Sequence, residues 1–319
     1  MTARSLVTST VPVAPTAGHG GRWELLRALG AIASTPPPLS HPVAAGLGLP
    51  QPDAAEHTGV FVLSAPPHAA IYLGAEGRLG GEGLDRVAGF WRALGLSPPP
   101  DADNLGALLA LYAELGDAET AARSERASTQ VRRAREALLW EHLWSWAPGY
   151  LTTVARLETA SLGPWARLTL RALAREAGLA ASPAALPLAL RSAPPALRAT
   201  GTGSPGALGR QDLLDALLAP VRSGVVITSA DLRQAATVAG VGYRPGERRY
   251  TLAAMLDQDS SATAGWLRAF ARGWARWHAR QRPVAAPDPR RWWAGRASGT
   301  AAVLRKLEER LVTAGYSGP

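Results

Sequence analysis

The chain has no cysteine. Disulfides, thiolate zinc sites, cysteine-ligated iron–sulfur clusters and cysteine nucleophiles are therefore excluded. Lysine is nearly absent too: Lys306 stands alone among 34 basic residues, and the rest are arginine. Phenylalanine occurs three times. Runs of β-branched residues are scarce, with only Val60-Phe61-Val62-Leu63 and Val225-Val226-Ile227-Thr228 of note. The fold class expected is therefore all-α. No apolar window is long and clean enough to span a bilayer. Asn104–Ala113 and Ala177–Leu190 come nearest, and Pro183 and Pro187 interrupt the second. The first residues offer only Arg4 before a polar-interrupted stretch to Pro15, without the apolar centre of a signal peptide. No membrane insertion and a cytoplasmic location are expected.

Catalytic signatures are missing as well. The six histidines (His19, His41, His57, His68, His142 and His278) form no ligand-spaced pair and no HExxH arrangement. There is no GxSxG elbow, no GxxxxGK[ST] loop and no GxGxxG after a strand. The Gly-rich run from Gly74 to Gly81 lacks the lysine and the strand–helix frame of a phosphate loop. Glu141 and His142 are neighbours on a helix, so they point about 100° apart and do not face each other. No catalytic residue and no metal site are expected, and the chain is read as a non-enzyme.

What is present is Ala, Leu and Arg, which favour helices, and 11 tryptophans. The net charge of +9 is unevenly placed: residues 205–319 hold 17 basic and 9 acidic groups. Residues 1–20 read as a disordered arm, 21–180 as a helical domain, 181–210 as a Pro/Gly-rich linker and 211–319 as a basic helical extension. In the first domain helices are predicted over Leu25–Ile32, Gly83–Leu96, Leu105–Leu115, Arg132–Trp146, Tyr150–Ala160 and Trp165–Ala177. Pro50–Pro67 reads as irregular with some extended backbone, and Asp117–Gln130 as a mobile connection or frayed helix. Asp103 is a candidate N-cap for the helix from Leu105, and Gly116 a candidate C-cap. In the extension helices are predicted over Leu213–Leu218, Asp231–Val238 (capped by Ser229 and ended by Gly240), Leu252–Leu256 (capped by Thr251), Ala262–Gln281 and Ala301–Ala314.

The long helix Ala262–Gln281 has two faces. Trp266, Phe270, Trp274 and Trp277 share one, and Arg268, Arg272, Arg276 and Arg280 advance along another. One reading is an aromatic core stripe with a solvated basic back. The other is a surface for nucleic acid or an anionic peptide. Ser229–Tyr250 hints at a helix-turn-helix but has no Asn/Gln/Arg row to read bases. A DNA-binding regulator acting through the basic helices is the alternative function, although nucleic acid is not the expected partner. An enzyme with an unfamiliar site would need Asp103, Asn104 and His142 to line one deep pocket.

One block orders these features: Pro67, Ile71-Tyr72-Leu73, Phe90-Trp91, Gly95-Leu96, Asp103, Leu105-Gly106, His142-Leu143 and Trp146. In order and spacing it resembles the TorD/DmsD/NarJ family of molybdoenzyme-maturation chaperones, the nitrate reductase delta subunit-like family. The resemblance covers about residues 21–180, and residues 211–282 look like a C-terminal extension seen in some branches. It implies a single-layered helical bundle of the TorD type. It implies as partners the catalytic subunit of a molybdopterin oxidoreductase and its leader peptide, often a twin-arginine signal. The chaperone would assist cofactor insertion and delay export, as a monomer or homodimer. The residues it implies for partner binding are Tyr72, Phe90, Trp91, Leu94, Asp103, Asn104, Leu108, Glu114 and His142. Three departures stand out: the family's Tyr-Glu-Ser is His68-Ala69-Ala70, its Asp-His pair is Asp103-Asn104, and a Glu often found early in the following helix is replaced by an apolar residue near Leu108. Asn104 keeps hydrogen-bonding capacity but carries no charge. In the family the Asp-His pair is implicated in binding the leader and a guanine nucleotide, so its loss weighs against the nucleotide. No cofactor is expected, guanine nucleotide and molybdenum cofactor being the contacts that the resemblance leaves open.

Overall fold

The computed structural model describes residues 19–197 and 209–315. The arm expected over 1–20 lies outside them, save that His19 and Gly20 open the first helix. The chain is all-α. Among the described residues the only β feature is an isolated antiparallel bridge between His68 and Asn104.

The first half runs α1 (His19–Ser34), α2 (His41–Gly46) and α3 (Ala54–His57), then a π-helical turn over Thr58–Ser64. Next come α4 (Ala69–Leu73), α5 (Gly81–Ala93), α6 (Leu105–Ala121) and α7 (Glu125–Ala137). A second π-helical turn, Leu138–Leu143, continues α7 and leads to α8 (Ala147–Arg156), α9 (Leu162–Leu179) and α10 (Leu188–Arg191). The second half holds α11 (Arg210–Leu218), α12 (Pro220–Ser223), α13 (Ser229–Ala239), α14 (Arg248–Gln258), α15 (Ser260–Arg280) and α16 (Pro289–Gly315).

Several expectations need correction. The β-branched run at Val60 is helical, because Val60 and Phe61 turn into the core and Phe61 packs edge-on against Trp165 at 5.2 Å. Burial overrides propensity there. Gly116 does not end α6. It lies under the indole of Trp23, where an added Cβ would fall 2.3 Å from a ring carbon, and the helix continues to Ala121. Gly106 plays the same part at the other end: its Cβ would lie 2.5 Å from the Gly30 carbonyl oxygen. These two positions let α1 lie against α6 closer than side chains would allow. The stretch 117–130, expected to be loose, is helical apart from a break at residues 122–124, where Ser124 caps α7 by accepting from Ala127. In the second half Thr228 rather than Ser229 caps α13, in a reciprocal capping box with Asp231. Gly240 ends that helix with φ of 69°, as its sequence position suggests. Thr251 lies inside α14, and its hydroxyl donates to the Arg244 carbonyl.

A buried polar network ties α6, α7 and α9. Arg135 donates to the Tyr112 hydroxyl at 2.7 Å and to Glu119 at 2.9 Å, and Tyr112 donates to Glu176 at 3.0 Å. Burial raises the Tyr112 pKa, with Glu176 adding to the effect and Arg135 opposing it. Each charged group has a hydrogen-bonded partner, the condition under which buried charge is tolerated.

One hydrophobic cluster runs from Trp23 to Leu304 through both halves. The seam is specific. The Trp293 indole N–H donates to the Ser145 carbonyl at 2.8 Å, Arg156 pairs with Asp231 at 3.0 Å, and Arg296 donates to the Pro194 carbonyl at 2.6 Å. Gly224, at φ of 74°, admits the backbone of α16, since its Cβ would meet the Ala297 nitrogen at 2.3 Å. Within the stretch read as a linker, α10 buries Ala189 and Leu190, Leu197 is buried too, and residues 198–208 lie outside the described set. The aromatic stripe of α15 faces inward: Trp274 is buried, and Trp266, Phe270 and Trp277 pack against the core. Arg272, Arg276 and Arg280 are exposed on its back. Among the described residues no helix is long and apolar enough to cross a membrane.

Candidate functional site

The residues singled out in the first half gather around the start of α4. Pro66 and Pro67 lead the chain into extended His68, and a hydrogen-bonded turn over residues 101–104 brings extended Asn104 to the start of α6. The two extended stretches meet as the antiparallel bridge. Ala69 donates to the Asp103 carbonyl at 3.0 Å, and Leu105 donates to the Pro67 carbonyl at 2.8 Å. His68 and Asn104 are the N-cap residues of α4 and α6, so the bridge clamps two helix N-termini together.

The side chains complete the clamp. Asn104 Oδ1 accepts from the Gly106 amide at 2.8 Å and thereby caps α6. Asp103, expected to be that cap, serves the other helix: its Oδ2 accepts from the Ala70 amide at 2.9 Å, at the N-terminus of α4. The reason is register. The Gly106 amide is within reach of residue 104, which leaves Asp103 facing inward, 2 % exposed. Its Oδ1 lies 3.3 Å from His68 Nδ1, and His68 Nε2 lies 3.4 Å from Asn104 Nδ2. With Asn104 Oδ1 committed to Gly106, its NH₂ faces the ring. That geometry sets Nε2 to accept from Asn104 and Nδ1–H to donate to Asp103. Both contacts are long, so they orient the ring more than they bind it.

Tyr72 lies directly beneath. It is 2 % exposed, its hydroxyl donates to the Pro66 carbonyl at 3.0 Å, and its ring stacks on Trp146 at 5.2 Å. Burial drives its pKa far up, so it is a neutral hydrogen-bond donor. Phe90, Trp91 and Leu94 are half-buried at the end of α5, beside exposed Leu96. Phe90 meets the ring of His142 at 4.7 Å. His142 is buried, and its pKa is lowered to about 4 by loss of hydration, with Arg86 contributing. Its carbonyl accepts from the Trp146 indole at 2.7 Å. Glu141 turns away, accepting from the Leu188 amide at 2.6 Å, so it forms no acid–base pair with His142.

The structure therefore joins Asp103 and Asn104 through His68, and joins Phe90 to His142. Leu108 is fully buried in the core, and in this packing it shapes the face without presenting itself. Glu114 is exposed ten positions beyond Asn104, about 15 Å along the helix. Of the acidic groups near it, Asp117 pairs with Arg27 and Glu119 with Arg135. Asp103, Asn104 and His142 do not converge on a reacting centre: Asp103 is spent on Ala70 and His68, and His142 on Phe90. Among the described residues no group of three His, Cys, Asp or Glu side chains is placed to hold a metal ion. The residue that sequence reasoning passed over is His68, which marked only a departure from the motif. Its partner lies 35 residues away, so no local pattern announces it.

A family model described as nitrate reductase delta subunit matches residues 51–151, about a third of the chain. The matched stretch begins just before α3 and ends within α8, and so contains the whole clamp and the half-buried face of α5. No curated protein matches the chain.

Proposed function

We propose, from the match of residues 51–151 to a nitrate reductase delta subunit model, a family of molybdoenzyme-maturation chaperones, that the protein is a cytoplasmic, system-specific chaperone. It binds the leader peptide and the apo form of a molybdopterin oxidoreductase subunit, assists cofactor insertion and delays export. The family match is the observation that carries this reading. The site chemistry supports it: a rigid polar clamp beside an incompletely buried apolar face suits holding a chain. The apolar part of a leader would lie as a helix against Phe90, Trp91 and Leu94. Tyr72 and Leu108 would act from beneath by fixing the shape of that surface, and His142 by backing Phe90. Asp103 and Asn104 would fix the clamp at its edge, and exposed Glu114 would meet a leader's positive charge.

Magnitudes suit a reversible complex. Burial of roughly 600 Å² of apolar surface would yield about 15 kcal/mol gross. Lost freedom and peptide ordering remove about 6–15 kcal/mol of it. Micromolar or weaker binding remains, which suits a client that must be released.

The test is capture of native partners from cell extract by the tagged full chain, read by mass spectrometry. Recovery of a molybdopterin oxidoreductase subunit, reduced by Trp91→Ala, is the expected result. Failure to recover any such subunit would overturn the reading.

A further inference from the structure

The pair α15 and α16 carries a groove that the chaperone reading does not use. The two helices pack along one another after the short turn of residues 281–288, and the groove between their outer faces has a volume of about 420 Å³. Helix α15 contributes Arg272, Ala275 and Arg276, and α16 contributes Ser298, Ala301, Ala302 and Arg305. The floor is alanine, so a bound backbone can approach closely. The rim is guanidinium.

Of the three rim arginines, Arg305 is paired with Glu309, but the other two are not neutralised from within. Arg272 and Arg276 are exposed, and neither has a carboxylate partner among the described residues. The carboxylates of the same stretch of α16 are engaged elsewhere: Glu308 with Arg268 at 2.8 Å, and Glu309 with Arg305 at 2.7 Å. Arg272 and Arg276 stand four residues apart on one face, a like-charge spacing that works against the helix. The segments 1–18, 198–208 and 316–319 contain no Asp or Glu side chain, so none of them brings a carboxylate side chain to the groove.

We propose that this groove docks an acidic polypeptide segment, whose carboxylates meet Arg272 and Arg276. The arginine fork accepts a carboxylate through two parallel hydrogen bonds, which a lysine cannot do. The shape favours a peptide over duplex DNA. A cleft between two helices admits one extended chain, whereas duplex recognition inserts a protruding element into the DNA groove.

The experiment is fluorescence anisotropy on the full chain, with labelled octaglutamate, octaglutamine, and single- and double-stranded oligonucleotides of matched charge. Octaglutamate is expected to bind, with affinity falling as salt rises, and octaglutamine is not. Reversal of both charges, Arg272→Glu with Arg276→Glu, should weaken octaglutamate about tenfold or more. The milder Arg272→Gln with Arg276→Gln should weaken it less, with the melting temperature of both variants unchanged. Three outcomes each overturn the proposal: octaglutamate binding no tighter than octaglutamine, full binding by the charge-reversed variant, or an oligonucleotide bound more tightly than the peptide.

Discussion

Residues 19–197 and 209–315 are built from the same materials, tryptophan and arginine, placed differently. In the first half Trp23, Trp144, Trp146 and Trp165 are almost wholly sealed from solvent. In the second, Trp266, Trp277 and Trp292 are only half-buried, and Trp293 is spent on the seam. Two groups of arginines show a similar contrast. Arg135 is buried among Tyr112, Glu119 and Glu176, whereas Arg272, Arg276 and Arg280 stand on the outside of α15. The count of basic residues therefore says little until their partners are known. At Arg135 charge locks helices together, and along the back of α15 it is displayed, although Arg290 of the second half is itself buried against Asp288.

That contrast sets the order of expected effects. Trp165→Ala should be the most damaging change. It empties a fully buried site and strips the Leu29 carbonyl of the indole N–H that it accepts at 2.9 Å. A loss of about 3–5 kcal/mol is expected in urea unfolding, against about 1 kcal/mol for Trp266→Ala on the half-buried stripe. Equal losses at the two sites would remove the distinction between the halves.

Acid should strain both halves alike, because each buries one neutral histidine. His142 is held down to about 4 by burial and Arg86, and His278 to about 3 by burial and Arg290, with Asp288 opposing. Both values lie below the ordinary 6.5, so between 6.5 and those values the unfolded chain binds more protons than the folded one. Stability is therefore complete above about pH 6.5 and falls as the pH drops toward 4 and 3. At pH 5 the loss should be about 2 kcal/mol for each histidine relative to pH 7. Urea midpoints at the two pH values test this, and His142→Gln should remove its share.

Asp103→Ala should come next. It leaves the Ala70 amide and the His68 ring without their acceptor, at a cost of about 1–3 kcal/mol. Hydrogen exchange should quicken first at the N-terminus of α4. The smallest effect belongs to Arg272→Glu with Arg276→Glu, expected within about 0.5 kcal/mol of the parent in thermal unfolding. A larger loss would mean that these arginines serve the fold after all.

The helical class was legible in the sequence because periodicity and scarce β-branched runs agree. The cap at Gly240 and the inward aromatic stripe of α15 were legible because both are local patterns. What escaped depended on distant residues. Val60 and Phe61 are helical because Trp165 waits for them, and α6 runs through Gly116 because Trp23 lies over it. The first turns of α16, from Pro289 to Thr300, carry the Trp293 contact to Ser145, a partner in the other half. At the candidate site the motif placed Asp103 and Asn104 correctly at a helix start. Which of them caps which helix, and that His68 joins them, follows only from the meeting of two segments.

The central claim is that the face beside the clamp, and not the basic back of α15, holds the client's leader. Isothermal titration of the full chain with the leader peptide of a molybdopterin oxidoreductase tests it most directly. The account predicts micromolar binding that Trp91→Ala and Leu94→Ala weaken, while Arg272→Glu with Arg276→Glu leaves it unchanged. Loss of leader binding in the arginine variant alone, with the apolar variants intact, would contradict it.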